Sequence, residues 1–156
     1  MVIDHLTHTF PESDVGITYI YFDYKKTWGV DKLLRSALAD LIRSTSTSLP
    51  RPLLQLYEQH HRKKSRPKTD EISKLFASES YRFSKVFVII DAVDECQPVA
   101  TRTKLFEGLS FMGSMLRLMI VGRPTIDVLK SYPQAMRLII QAEVEDVRKC
   151  LNEQVK

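Results

Sequence analysis

A chain of 156 residues, 44% hydrophobic and 27% charged, is enough for one globular domain with a sizeable core, and its composition excludes a disordered or low-complexity protein. The net charge of +4 is local, because residues 60–68 hold Arg62, Lys63, Lys64, Arg66 and Lys68 without an acid and the rest of the chain balances at −1. With a near-neutral body, the pI of about 9.1 says little about a nucleic-acid surface, and nucleic acid is not the expected partner; the basic run reads as a solvated linker, with a localisation signal or an anionic partner as the other readings.

The longest unbroken run of large apolar residues is Val86–Ile90, far short of the ~20 residues that a membrane span needs. The opening Met1-Val2-Ile3-Asp4-His5 lacks the basic-then-apolar order of a secretory leader. Two cysteines, Cys96 and Cys150, are too few for a disulfide framework, and a reducing, cytoplasmic setting is expected.

In chain order, Met1–Leu6 reads as the tail of a helix. Ile17-Thr18-Tyr19-Ile20-Tyr21-Phe22 is a β-rich run between Gly16 and Asp23. Asp31 is placed to cap a helix with Leu34, Ala37, Leu38, Leu41 and Ile42 at helical spacing. Pro52 opens a second helix carrying Leu53, Leu54, Leu56 and Tyr57, and Thr69 caps a third with Ile72, Leu75 and Phe76. Val86–Ile90 and Leu118–Val121 are continuously apolar, the pattern of strands covered on both faces in a parallel sheet. Leu105, Phe106 and Leu109 mark a helix between them. Residues 137–142 give a weaker fourth strand, and Val147, Leu151 and Val155 predict an amphipathic helix over 146–156. Strands alternating with helices argue for a βαβ-type α/β fold. Neither end carries a stop signal, which suggests a fragment of a longer architecture.

Chemistry concentrates in two places. Val86–Ile90 delivers Asp91 at a strand's carboxyl end, where open α/β sheets form their ligand crevice, and Asp94 and Glu95 follow at once. Three carboxylates this close repel unless something positive compensates, and a hard cation such as Mg²⁺ would do so. A solvated acidic turn accounts for the same residues. Leu116–Val121 then delivers Arg123, after Gly122 and before Pro124; its planar fork suits phosphate oxygens. The plainer reading is a surface arginine pairing with Asp94 or Glu95. His5, His8, His60 and His61 do not combine with the cysteines at zinc spacing, Trp28 reads as packing surface, and Cys96 has no partnered base.

A strand ending in Asp23-Tyr24-Lys25, then helices, then Asp91-Ala92-Val93-Asp94-Glu95-Cys96, then Gly122-Arg123-Pro124, resembles NACHT-type P-loop NTPases of the STAND class, and most of all the nephrocystin-like N-terminal modules of fungal repeat proteins. The resemblance implies an α/β, three-layer parallel-sheet P-loop NTPase core lacking its first, central strand and phosphate loop. It divides residues 1–156 into a helix tail (1–10), a strand (about 17–23), a helical region (31–80), a Walker B strand (86–91), a sensor-1 strand (118–123), a last strand (about 137–142) and a C-terminal helix (146–156). It implies that Asp91 holds the Mg²⁺ of bound ATP or GTP, that Asp94 and Glu95 position or activate the attacking water, and that Arg123 lies near the terminal phosphate. Gly122 stands where a serine is more frequent in the family.

The family's Gly-x-x-x-x-Gly-Lys-Ser/Thr run, whose amides and lysine cradle the phosphates, is not found in the 156 residues. By the resemblance it would lie just upstream of Met1. Each charge-assisted hydrogen bond it would make is worth about 1.5–3 kcal/mol, so the chain alone is expected to bind ATP poorly and hydrolyse none. The resemblance thus implies a fragment of a nucleotide-dependent signalling switch, with protein partners or self-association through the rest of a longer chain. Two other readings stay open: a non-catalytic interaction scaffold whose open sheet edges pair with another chain, and a Mg²⁺-dependent phosphoryl-transfer or nuclease domain using Asp91, Asp94 and Glu95 with Asp23.

Overall fold

The computed structural model describes residues 2–10, 14–44, 48–141, 143–145, 148 and 152. They divide into two units, residues 1–126 and 127–156. In the first, α1 (Val2–Thr9) leads to β1 (Val15–Tyr21), and then come α2 (Val30–Arg43), α3 (Arg51–Arg62) and α4 (Thr69–Ser80). β2 (Lys85–Asp91) follows, then a 3₁₀ turn over Val93–Glu95, α5 (Val99–Ser110), a second 3₁₀ turn over Gly113–Met115 and β3 (Leu116–Ile120). In the second unit the described residues hold a 3₁₀ turn over Val128–Lys130.

The three strands form one parallel sheet in the order β1-β2-β3. Register pairs Ile20 with Ile90 and Ile90 with Ile120. Gly16, Thr18, Ile20, Val86, Val88, Ile90, Leu116, Leu118 and Ile120 therefore share one face, because strand side chains alternate. α2, α4 and α5 pack together over this face. The seven buried side chains of α2, Val30, Leu33, Leu34, Ala37, Leu38, Leu41 and Ile42, form the apolar stripe that the helical spacing predicts. Gly16 is where the layers touch closest: a Cβ there would run into Leu41 Cδ1. On the other face Phe10, just past α1, stacks on Phe87 with ring centroids 5.4 Å apart. Val86, Val88 and Ile90 are wholly buried, as a continuous apolar run requires.

β3 is a sheet edge, so its outer backbone groups have no strand beside them among the described residues. Arg117 and Met119 are exposed on it.

Several boundaries move. The first strand runs Val15–Tyr21 rather than 17–23, and the strand expected over 118–123 ends at Ile120. Gly29, not Asp31, caps α2; its carbonyl accepts from Lys32 N and Leu33 N, which leaves Asp31 in the first turn, paired with Arg35. Lys68, not Thr69, caps α4, and Glu71 closes that cap by accepting from Lys68 N at 2.8 Å. α3 buries none of its residues. The strand expected over 137–142 is not formed over 137–141. Leu138 and Ile140 are more than four-fifths exposed there, and among the described residues no strand pairs with them. The helix expected over 146–156 falls almost wholly outside the described residues. No helix among the described residues is long and apolar enough to cross a membrane.

Candidate functional site

The site is built where the three strands end. At the end of β2, Tyr21 and Asp91 are register partners, and Phe22 N donates to Asp91 O at 3.2 Å. Ala92 then adopts a left-handed conformation (φ 54°, ψ 42°), which turns the chain sharply into the 3₁₀ turn. Asp91 Oδ1 accepts from Ala92 N at 2.8 Å and steadies that turn. The β2–β3 pairing continues beyond both strands: Val121 N donates to Ile90 O at 2.8 Å, and Val93 N donates to Val121 O at 3.0 Å.

The three carboxylates fan apart and take different partners. Asp94 reaches the loop after β3, accepting from Arg123 N through Oδ1 at 3.1 Å, with Arg123 Nε 3.3 Å from Oδ2. Glu95 reaches the loop after β1 and accepts from Tyr24 N at 2.9 Å. Asp91 keeps one oxygen for its own turn and is exposed. The compensation that three close acids require is thus supplied by backbone N–H groups and one guanidinium. The Arg123 side chain is 79% exposed against 14% for Asp94. Water screens the ion pair on the arginine side, so the backbone bond to the shielded carboxylate is the stronger link.

The sheet brings Asp91 and Arg123 to the same rim, from neighbouring parallel strands, with Arg123 three residues beyond the end of β3. Arg123 makes the plainer of its two expected contacts, with Asp94. Asp23 sits in the loop after β1. Its carboxyl is held below the usual range, first by the Lys25 amide at 3.0 Å and also by Lys26 at 3.3 Å, against a contribution from burial. Both of its oxygens are therefore engaged within its own loop.

Asp91 fits Mg²⁺ as a single protein ligand. One oxygen remains available, and this ion commonly takes one or two carboxylates, several waters and substrate phosphates. Among the described residues no group of three or more His, Cys, Asp or Glu side chains is arranged to hold a metal.

Elsewhere, Trp28 is half-buried, and its ring face is covered by Lys32 Nζ 4.2 Å from the centroid, which leaves no open stacking platform on that face. Cys96 is 1% exposed, and burial pushes its thiol above the usual value, with Arg102 opposing. Iodoacetamide is therefore expected to leave Cys96 unmodified in the native protein and to alkylate it fully in 6 M guanidinium, read at its own peptide. Rapid native labelling would contradict the burial. Sequence reasoning passed over His60, which bridges Ser65 and Glu71. Its partners lie five and eleven residues away, and the only available signal was a histidine beside a hydroxyl-bearing basic loop.

The fold is α/β, built on a three-stranded parallel sheet whose carboxyl rim carries an acidic turn and an arginine. The chain matches the family model described as nephrocystin 3, N-terminal, over residues 1–123 of its 156. It belongs to that family. No curated protein and no solved structure matches the chain.

Proposed function

We propose that the chain is part of a NACHT-type, nucleotide-dependent signalling switch, and that the rim bearing Asp91 and Arg123 is its share of a site for ATP or GTP with Mg²⁺. One observation carries the reading: adjacent parallel strands deliver a partly free carboxylate and a solvent-facing guanidinium to the same rim. In this reading Asp91 holds the cation, Arg123 turns from Asp94 to the terminal phosphate, and Asp94 and Glu95 position water. The cation, when bound, neutralises charge across the phosphates. Protein partners or self-association would act through further parts of a longer chain.

The chain alone is expected to be incompetent. Its 156 residues hold no Gly-x-x-x-x-Gly-Lys run, and Asp94 and Glu95 are already engaged by Arg123 and Tyr24. ATP with Mg²⁺ should therefore bind no tighter than about 1 mM, a ceiling of ~4 kcal/mol, with no detectable hydrolysis. At 10 mM nucleotide, NMR shifts should appear at Asp91 and Arg123, and should vanish in Asp91→Ala. Micromolar, Mg²⁺-dependent binding would refute the incompetence. Shifts confined to other surfaces would refute the nucleotide site.

The second reading is a scaffold that keeps the fold without nucleotide chemistry. It is favoured by the same carboxylate bonds, which satisfy the acidic turn from within, and by the open β3 edge beside exposed Met119 and Val121.

A further inference from the structure

The loop between α3 and α4 is the most cationic stretch of the chain, and the nucleotide reading makes no use of it. His60, in the last turn of α3, is held there with its side chain only 11% exposed. Nδ1 lies 2.8 Å from Ser65 Oγ, and Nε2 lies 3.2 Å from Glu71 Oε2. Ser65 N donates to His60 O at 3.0 Å, and Lys64, at φ 48°, turns the chain back so that Ser65 sits over the end of α3. Glu71 is kept ionised chiefly by the Lys68 amide, with a smaller part from His60, and these outweigh its burial. An ionised carboxylate only accepts, so Nε2 carries a proton toward Glu71, and in the neutral ring Nδ1 accepts from the Ser65 hydroxyl.

Ser65 is exposed and preceded by Arg62, Lys63 and Lys64. An arginine three residues upstream with further cations between suits the acidic substrate groove of a basophilic protein kinase. Two other hydroxyls follow an arginine by three residues, Ser46 after Arg43 and Thr69 after Arg66. Arg43 is held by Asp40 at 2.8 Å, and Thr69 is already the first residue of α4.

We propose that Ser65 is a phosphorylation site for a basophilic serine/threonine kinase, and that His60 is the built-in receptor for the phosphate. The Ser65 oxygen attacks the γ-phosphorus of kinase-bound ATP, a new O–P bond forms, the bond to the β-phosphate oxygen breaks, ADP leaves and the hydroxyl proton passes to the kinase base. The product carries close to two negative charges and three acceptor oxygens. It no longer donates, so Nδ1 must; the ring becomes an imidazolium that donates to the phosphate on one side and to Glu71 on the other. Across from His60 on the α4 side stands Glu71, itself bonded to Lys68, and the charged or titratable sequence neighbours on its own helix end and loop are Glu58, His61, Arg62, Lys63, Lys64 and Arg66. The modification thus pins the end of α3 to the start of α4. It stands independently of the nucleotide reading.

The test incubates the 156-residue chain with the catalytic domain of an arginine-directed kinase and Mg²⁺-ATP, maps phosphate by peptide mass spectrometry and follows the imidazole carbons by NMR. Ser65 should be the main site. Incorporation should be lost in Ser65→Ala, restored in Ser65→Thr and cut at least tenfold in Arg62→Ala. The ring carbons of His60 should move on phosphorylation, as expected when Nδ1 changes from acceptor to donor, while those of His61 move less. Phosphate found only at Ser46 or Thr69, or a Ser65 phosphate that leaves the His60 ring-carbon resonances unmoved, overturns the proposal.

Discussion

Replacing Leu34 with alanine is expected to lower the unfolding free energy by about 2–5 kcal/mol, the range for leucine-to-alanine changes at closed core sites. Leu34 has no exposed surface. It sits where three helices meet: a Cβ placed on Gly108 of α5 would lie 3.0 Å from Leu34 Cδ1 of α2 and 3.0 Å from Ser73 Oγ of α4. Packing this close leaves the neighbours little room to collapse into the vacated volume, so much of the cavity persists. At roughly 2–4 °C per kcal/mol for a chain of this size, the melting temperature should fall by about 4–20 °C. Urea unfolding checks this, with the midpoint moving and the slope constant. A loss below about 1 kcal/mol would mean that the helix layer is not the core.

Gly122→Ser is the second large effect, about 1–3 kcal/mol of destabilisation from overpacking. The resemblance makes serine the expected residue at this position, yet the structure leaves no space for its Cβ. It would stand 2.6 Å from Val93 Cγ1 and 3.0 Å from Asp94 Oδ1. Val93 is β-branched and 1% exposed, so its methyl has no easy alternative rotamer. Relief must come from shifting the 3₁₀ turn, which also carries the carboxylate that holds Arg123. Faster exchange of the Arg123 amide in the variant, alongside the lower urea midpoint, would trace the damage to that contact. Unchanged stability would show that the rim relaxes freely.

The legible parts of this fold are those where one residue pattern has one physical solution. Val86–Ile90 could hardly be anything but a covered strand, and α2 declares its buried stripe through Leu34, Leu38 and Leu41. The pattern misleads where it promises burial without naming a partner. Leu53, Leu54, Leu56 and Tyr57 repeat at helical spacing, yet no residue of α3 is fully buried, and of these four only Leu53 and Leu56 reach half-burial. Residues 137–141 have strand chemistry, but a strand needs a neighbour. At the rim, an acidic cluster and an arginine were visible in the sequence. Their partners were not, because Glu95 answers to an amide 71 residues earlier and Asp94 to one 29 residues later. His60 was missed for a related reason: its importance lies in a bridge from one helix to the next.

The turn after β2 is more than a decoration on the sheet. Through Glu95 and Asp94 it grips the loops that leave the two flanking strands, and through Val93 it also fastens the backbone after β3. The two segments that leave β1 and β3 are thus tied to one turn. Moving the turn therefore requires these bonds either to break or to carry both loops with it.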